Sequence, residues 1–151
     1  MAELLNQALN AEGKFSYLQS STQWAIRGGE VTARIFADQR PDTTWAAPED
    51  YNLIVYLHPH RRQLPPALAP DARTFDAGLC GAFALAQQRQ IEPGLNLMML
   101  GYLLAGEPLC SEDLLAWVLR QKLGPERQAA VPLNLTWLEW GTQLFERQEV
   151  L

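Results

Sequence analysis

Apolar residues along the chain recur first at helical and then at strand spacing. Leu4, Leu5, Ala8 and Leu9 fall three to four residues apart and stand clear of Glu3, Asn6, Gln7 and Asn10, which predicts a short amphipathic helix closed by Gly13. Over residues 15–37 the spacing drops to two. Gly28-Gly29 suits a tight hairpin turn, and with those residues as the loop Arg27 faces Glu30, Ile26 faces Val31, Trp24 faces Ala33 and Thr22 faces Ile35. That register gathers Trp24, Ile26, Val31, Ala33 and Ile35 on one face and Gln23, Arg27, Glu30, Thr32 and Arg34 on the other. Residues 51–58, YNLIVYLH, predict a third strand, apolar on both faces and so central or covered on both sides.

Two irregular stretches frame that third strand. Residues 38–50 are rich in turn formers, and a loop of such length inside a compact domain is usually functional or mobile. Trp45 in its middle either folds back over the core or serves as a contact anchor, a role in which Trp is enriched. After the strand, Pro59, Pro65, Pro66 and Pro70 predict an extended connector over 59–70, between a strand-rich half (1–58) and a helix-rich half (71–151).

The helix-rich half holds the densest apolar stretch, residues 75–119, and should supply most of the core. Leu79, Phe83 and Ala86 predict a helix over 75–90, weakened by Gly78 and Gly81. Residues 95–104 are apolar on every side, so periodicity does not separate helix from strand; the short span between Gly-containing boundaries reads as a strand. Ser111 as N-cap, Glu112 and Asp113 in the first turn, Arg120 and Lys122 in the last and Gly124-Pro125 beyond define a helix with Leu114, Leu115, Val118 and Leu119 as its stripe. Thr136 followed by Glu139 fits a capping box, opening a last helix with Trp137, Leu138, Gly141, Leu144 and Phe145 on one side. Trp140 falls off that side and is available to a partner.

These elements predict an α+β fold: an N-terminal helix, an antiparallel sheet of three or more strands, and C-terminal helices packed on one face, in a single domain over 1–151. Composition fits a globular chain, with 48% apolar and 19% charged residues. A formal charge of −5 argues against nucleic acid or an anionic membrane as the main partner, since either needs a basic footprint. The opening residues lack the basic and apolar regions of a secretory signal, and no apolar run reaches the roughly 18 residues of a membrane span, so the expected address is the cytoplasm. Cys80 and Cys110 are then read as reduced thiols.

Candidate chemistry is sparse. His58 and His60 could share a metal, but no third ligand stands at a recognisable spacing, and neither a metal nor a cofactor is expected. Arg61 and Arg62 beside them form a basic cluster suited to a phosphate or an acidic peptide. Cys80, near the start of a predicted helix in LCGAFALA, resembles the nucleophile position of cysteine hydrolases, with His58 or His60 as the base. The plainer reading is a buried structural thiol.

In size, acidity and order of elements the chain looks like the small dimeric chaperones that hold effectors for bacterial type III secretion, with an α-β-β-β-α-β-α core. The Pro-rich connector and the helix after Pro132 depart from that plan. The expected function is a non-enzymatic protein-binding module: a small acidic chaperone or adaptor, or a toxin-immunity protein. Its partner would be another protein, an effector, a toxin or an assembly component, with a homodimer possible. Trp45, Trp140, Arg61 and Arg62 are the candidate partner-binding residues. The alternative is a small cysteine-dependent hydrolase using Cys80 with His58 or His60.

Overall fold

A computed structural model describes residues 1–13, 15–23, 30–38, 51–59 and 68–149. Contacts divide the chain into two compact units, one formed by residues 1–44 and 109–128, the other by 45–108 and 129–151. The class is α+β.

The first unit begins with α1 (Ala2–Ala11), whose buried residues are the predicted Leu4, Leu5, Ala8 and Leu9, and which ends before Gly13 at φ 81°. It lies against the antiparallel pair β1 (Phe15–Gln23) and β2 (Glu30–Asp38) and against α4 (Glu112–Leu123). The hairpin register differs from the expected one. Gln23 pairs with Glu30 and Thr22 with Val31, so Thr22 meets Val31 instead of Ile35. The Gly28-Gly29 turn and Trp24 lie outside the described residues. Helix α4 follows expectation at both ends: the Ser111 hydroxyl accepts from the Leu114 N–H at 3.3 Å, and Gly124 at φ 67° closes it. Two polar clasps join α1 to α4, a Glu3–Lys122 ion pair at 2.6 Å and a Ser111 N–H donated to the Glu12 carboxylate at 3.0 Å.

The second unit overturns the expected antiparallel sheet of three or more strands. Residues β3 (Tyr51–Tyr56) pair in parallel with β4 (Leu68–Asp76), a strand drawn from the end of the Pro-rich connector and the start of the expected 75–90 helix. The described strands form an antiparallel pair and a separate parallel pair. A parallel neighbour demands a crossover of about a dozen residues, which the Pro-rich stretch is long enough to supply. Pro70 has no N–H for a ladder, and it falls where the register jumps from Tyr51↔Leu68 to Leu53↔Arg73.

Helix α2 is correspondingly short (Ala82–Gln88), and residues 95–104 belong to a helix, α3 (Leu95–Gly106), instead of a strand. Pro93 sits in the single 3-10 turn (Glu92–Gly94) that leads into α3, and the Leu and Met residues that follow favour helix. Every residue from Leu97 to Leu104 is buried, so α3 forms the centre of this unit and its lack of a polar face is explained. Helix α5 (Val131–Glu149) starts ahead of the expected capping box; Thr136 lies inside it and its hydroxyl donates to the Pro132 carbonyl at 3.0 Å. Where α5 crosses α3 the backbones nearly touch. A Cβ on Gly101 would lie 1.9 Å from the Leu138 carbonyl oxygen, and one on Gly141 1.8 Å from that of Met98.

Side chains at the end of α3 tie it to the parallel strands. Arg73 on β4 donates to the Gly106 carbonyl at 2.8 Å and pairs with Glu107, placing a cation at the negative end of α3. Tyr102 stands edge-on to Phe75 and Phe145, at 5.9 and 5.3 Å between centroids, and its hydroxyl donates to the Gln148 amide oxygen at 2.6 Å.

Candidate functional site

The carboxyl ends of β3 and β4 stand side by side, the Ala77 N–H donating to the Tyr56 carbonyl at 2.9 Å. Strand ends of this kind are where parallel α/β arrangements place their ligand-facing loops. The loop from β4 into α2 is organised by Asp76, which is 5% exposed. Its Oδ1 accepts from the N–H groups of Gly78 at 2.8 Å and Leu79 at 3.1 Å, while its carbonyl accepts from the Cys80 N–H at 2.9 Å. This is an Asx turn, the role for which Asp side chains are suited. A Cβ at position 78 would meet the Pro59 Cβ at 2.8 Å, so the two strand-end loops are in van der Waals contact.

The loop's outcome is a fixed backbone that carries Leu79 into solvent at 76% exposure. An apolar stripe on a regular helix would have buried it; with the helix starting only at Ala82, Leu79 sits in the turn. Leu133 in the first turn of α5 and Trp117 on α4 are each 51% exposed. None of the three stands out from the sequence as a surface residue. A signal existed for Leu79: Asp76-Ala77-Gly78 is a turn sequence, and it competed with the helical spacing of the apolar residues.

Cys80 is buried at 6% exposure, with its sulfur 3.8 Å from the Ala77 carbonyl and 3.7 Å from the Met99 sulfur. Burial pushes its thiol up from the ordinary value, and the nearby Asp76 carboxylate adds to this; backbone N–H groups of Ala82 and Cys80 oppose it only in part. An activated nucleophile needs the reverse shift and an open approach. The His58 ring stands edge-on to Phe83 at 5.2 Å. His60 lies outside the described residues, and so do Trp45, Arg61 and Arg62.

Trp140 is half-buried, with the Arg89 guanidinium 4.6 Å above its ring, so that one face of the indole carries a cation. Trp137 packs its ring against Gly94, and its indole N–H is buried without a hydrogen-bond partner among the described residues. Among the described residues no group of three or more His, Cys, Asp and Glu is placed to hold a metal ion, and no helix is long and apolar enough to cross a membrane.

No family model and no curated protein sequence matches the chain. Among solved structures it is similar to the gamma subunit of a keto/oxoacid ferredoxin oxidoreductase from Geobacter sulfurreducens PCA. That likeness has a TM-score of 0.62 and 14% identity, covering 97% of this chain and 89% of the other, and at such identity it is a likeness of fold alone.

Proposed function

We propose that this chain is a non-enzymatic protein-binding module, a subunit or adaptor of a larger assembly. The observation that carries this reading is Leu79: a large apolar side chain held 76% exposed by a loop whose backbone is fixed on the buried Asp76 carboxylate. Exposing a side chain of this size forgoes about 1.5–3 kcal/mol of burial, and holding it on a rigid loop lowers the ordering cost of docking. Leu133 beside Pro132, both exposed on α5, offers a second apolar contact in the same unit. The buried Cys80, with its thiol pushed up, offers little to the hydrolase alternative.

The solved neighbour of like fold is, by its description, one subunit of an oxidoreductase, and a subunit role for this chain is part of the proposal. A chaperone for an effector and an immunity protein for a toxin are narrower versions of the same reading. Affinity capture from the source lysate, with the wild type and a Leu79→Asp variant side by side, tests it. A stoichiometric protein held by the wild type and lost from the variant is expected. Recovery of no stoichiometric partner, or a hydrolase activity abolished by alkylating Cys80, would overturn it.

A further inference from the structure

The first unit carries an exposed face that the preceding proposal does not use. On α4 the buried side is Leu115, Val118 and Leu119, and Lys122 is engaged by Glu3. Trp117 lies well round from that side, 51% exposed and near the middle of the Glu112–Leu123 helix. At helical spacing its neighbours on the same face are Asp113 one turn before it, Arg120 one turn after it, the half-buried Leu114 and Gln121. Asp113 and Arg120 are exposed, and among the described residues neither side chain has an ion-pair partner.

We propose that a second copy of this chain docks on this face, the two α4 helices running antiparallel about a two-fold axis at Trp117. The charge pattern argues for self-pairing. With a rise of about 1.5 Å per residue, Asp113 stands roughly 6 Å to one side of Trp117 along the axis and Arg120 roughly 4.5 Å to the other. A two-fold rotation therefore brings Asp113 of each copy level with Arg120 of the other to within about 1.5 Å along the axis, and on the same lateral side. Two reciprocal ion pairs then flank a central pair of indoles, while Leu114 approaches the second copy's Gln121. A helix aligned parallel to its mate would instead set Asp113 against Asp113. A single helix pair buries less than the roughly 1,600 Å² of a standard interface, so the dimer forms in the micromolar range and dissociates on dilution.

Sedimentation velocity on the intact chain, from about 1 to about 500 µM, tests this. The wild type is expected to shift from monomer to dimer across that range. Asp113→Arg and Arg120→Asp, each of which sets like charges in contact, are expected to raise the dissociation constant at least tenfold. The double variant restores the pairing in reverse and should return to near the wild-type constant; circular dichroism checks that all variants stay folded. A monomer throughout, a dimer indifferent to the single reversals, or a double variant as weak as the singles would each overturn the proposal. The Leu79→Asp variant is expected to dimerise normally, which separates this surface from the one that captures another protein.

Discussion

Gly101 on α3 and Gly141 on α5 sit where the two helices cross, each with room for a hydrogen and none for a methyl group. A Cβ at either position would fall within 2 Å of a backbone carbonyl oxygen of the opposite helix, at 1.9 and 1.8 Å. Relief therefore requires moving a helix, since no flexible side chain lies in the way. Gly101→Ala and Gly141→Ala are each expected to cost about 1–3 kcal/mol or more, despite the better helix propensity of Ala. Urea unfolding midpoints check this, and an unchanged or raised midpoint for either variant would show that the helices do not cross at these glycines.

Helix α2 closes with an ordinary residue where glycine is usual. The Ile91 N–H bonds to the Ala86 carbonyl at 2.9 Å and the Gln90 N–H to that of Gln87 at 3.1 Å, a Schellman closure that puts Gln90 at φ 56°. Left-handed backbone costs a residue with a Cβ roughly 1 kcal/mol. Gln90→Gly is expected to stabilise the protein by about 0.5–1 kcal/mol, read as a higher thermal midpoint, and a lower midpoint would contradict the closure.

The α1 and α4 helices were legible from the sequence because their signals are local. Leu4, Leu5, Ala8 and Leu9 define a face by spacing alone, and Ser111 and Gly124 mark the ends of α4 by their own backbone chemistry. What failed depends on partners elsewhere in the chain. Within the expected 95–104 strand, every residue from Leu97 to Leu104 is buried, so over that run no exposed polar position betrays the period. The hairpin register missed by an even number of residues, Thr22 meeting Val31 instead of Ile35, and an even shift is invisible to a pattern of period two. Whether β3 takes an antiparallel or a parallel neighbour is not written in β3 itself. The site was missed for a related reason: Leu79 carries the same helical spacing as core residues, and only the turn held by Asp76 puts it outside.

Alkaline pH is expected to destabilise the protein through two buried acids. Burial raises the Cys80 thiol and the Tyr102 phenol; the Asp76 carboxylate pushes Cys80 further up, and the Cys80 charge does the same to Tyr102. Groups whose folded-state value is raised give their full stability below the unfolded-state value and lose it as pH climbs through the folded one. Stability should therefore begin to fall above about pH 8.5, where an unfolded thiol ionises, and fall further above about pH 10 with the phenol. Cys80→Ala is expected to flatten the lower part of the decline and Tyr102→Phe the upper part; urea midpoints from pH 7 to about 10.5 that stay level in the wild type would contradict this.

Thiol labelling of the native protein follows the same burial. Cys80 and Cys110 are both buried, so a thiol reagent at neutral pH is expected to label them slowly and to react fully only in denaturant. Rapid native labelling of Cys80 that persists at mildly acidic pH would reveal a lowered thiol and revive the hydrolase reading.

Leu79 is the contact residue on which partner binding turns, and calorimetric titration of the captured partner into the wild type and into Leu79→Asp measures that directly. Truncating or charging an anchor of an interface typically costs more than 1 kcal/mol, so the variant is expected to bind at least about tenfold more weakly while keeping the wild-type unfolding free energy to within about 0.5 kcal/mol. Equal affinity for the two proteins would contradict the assignment of this loop as the binding site.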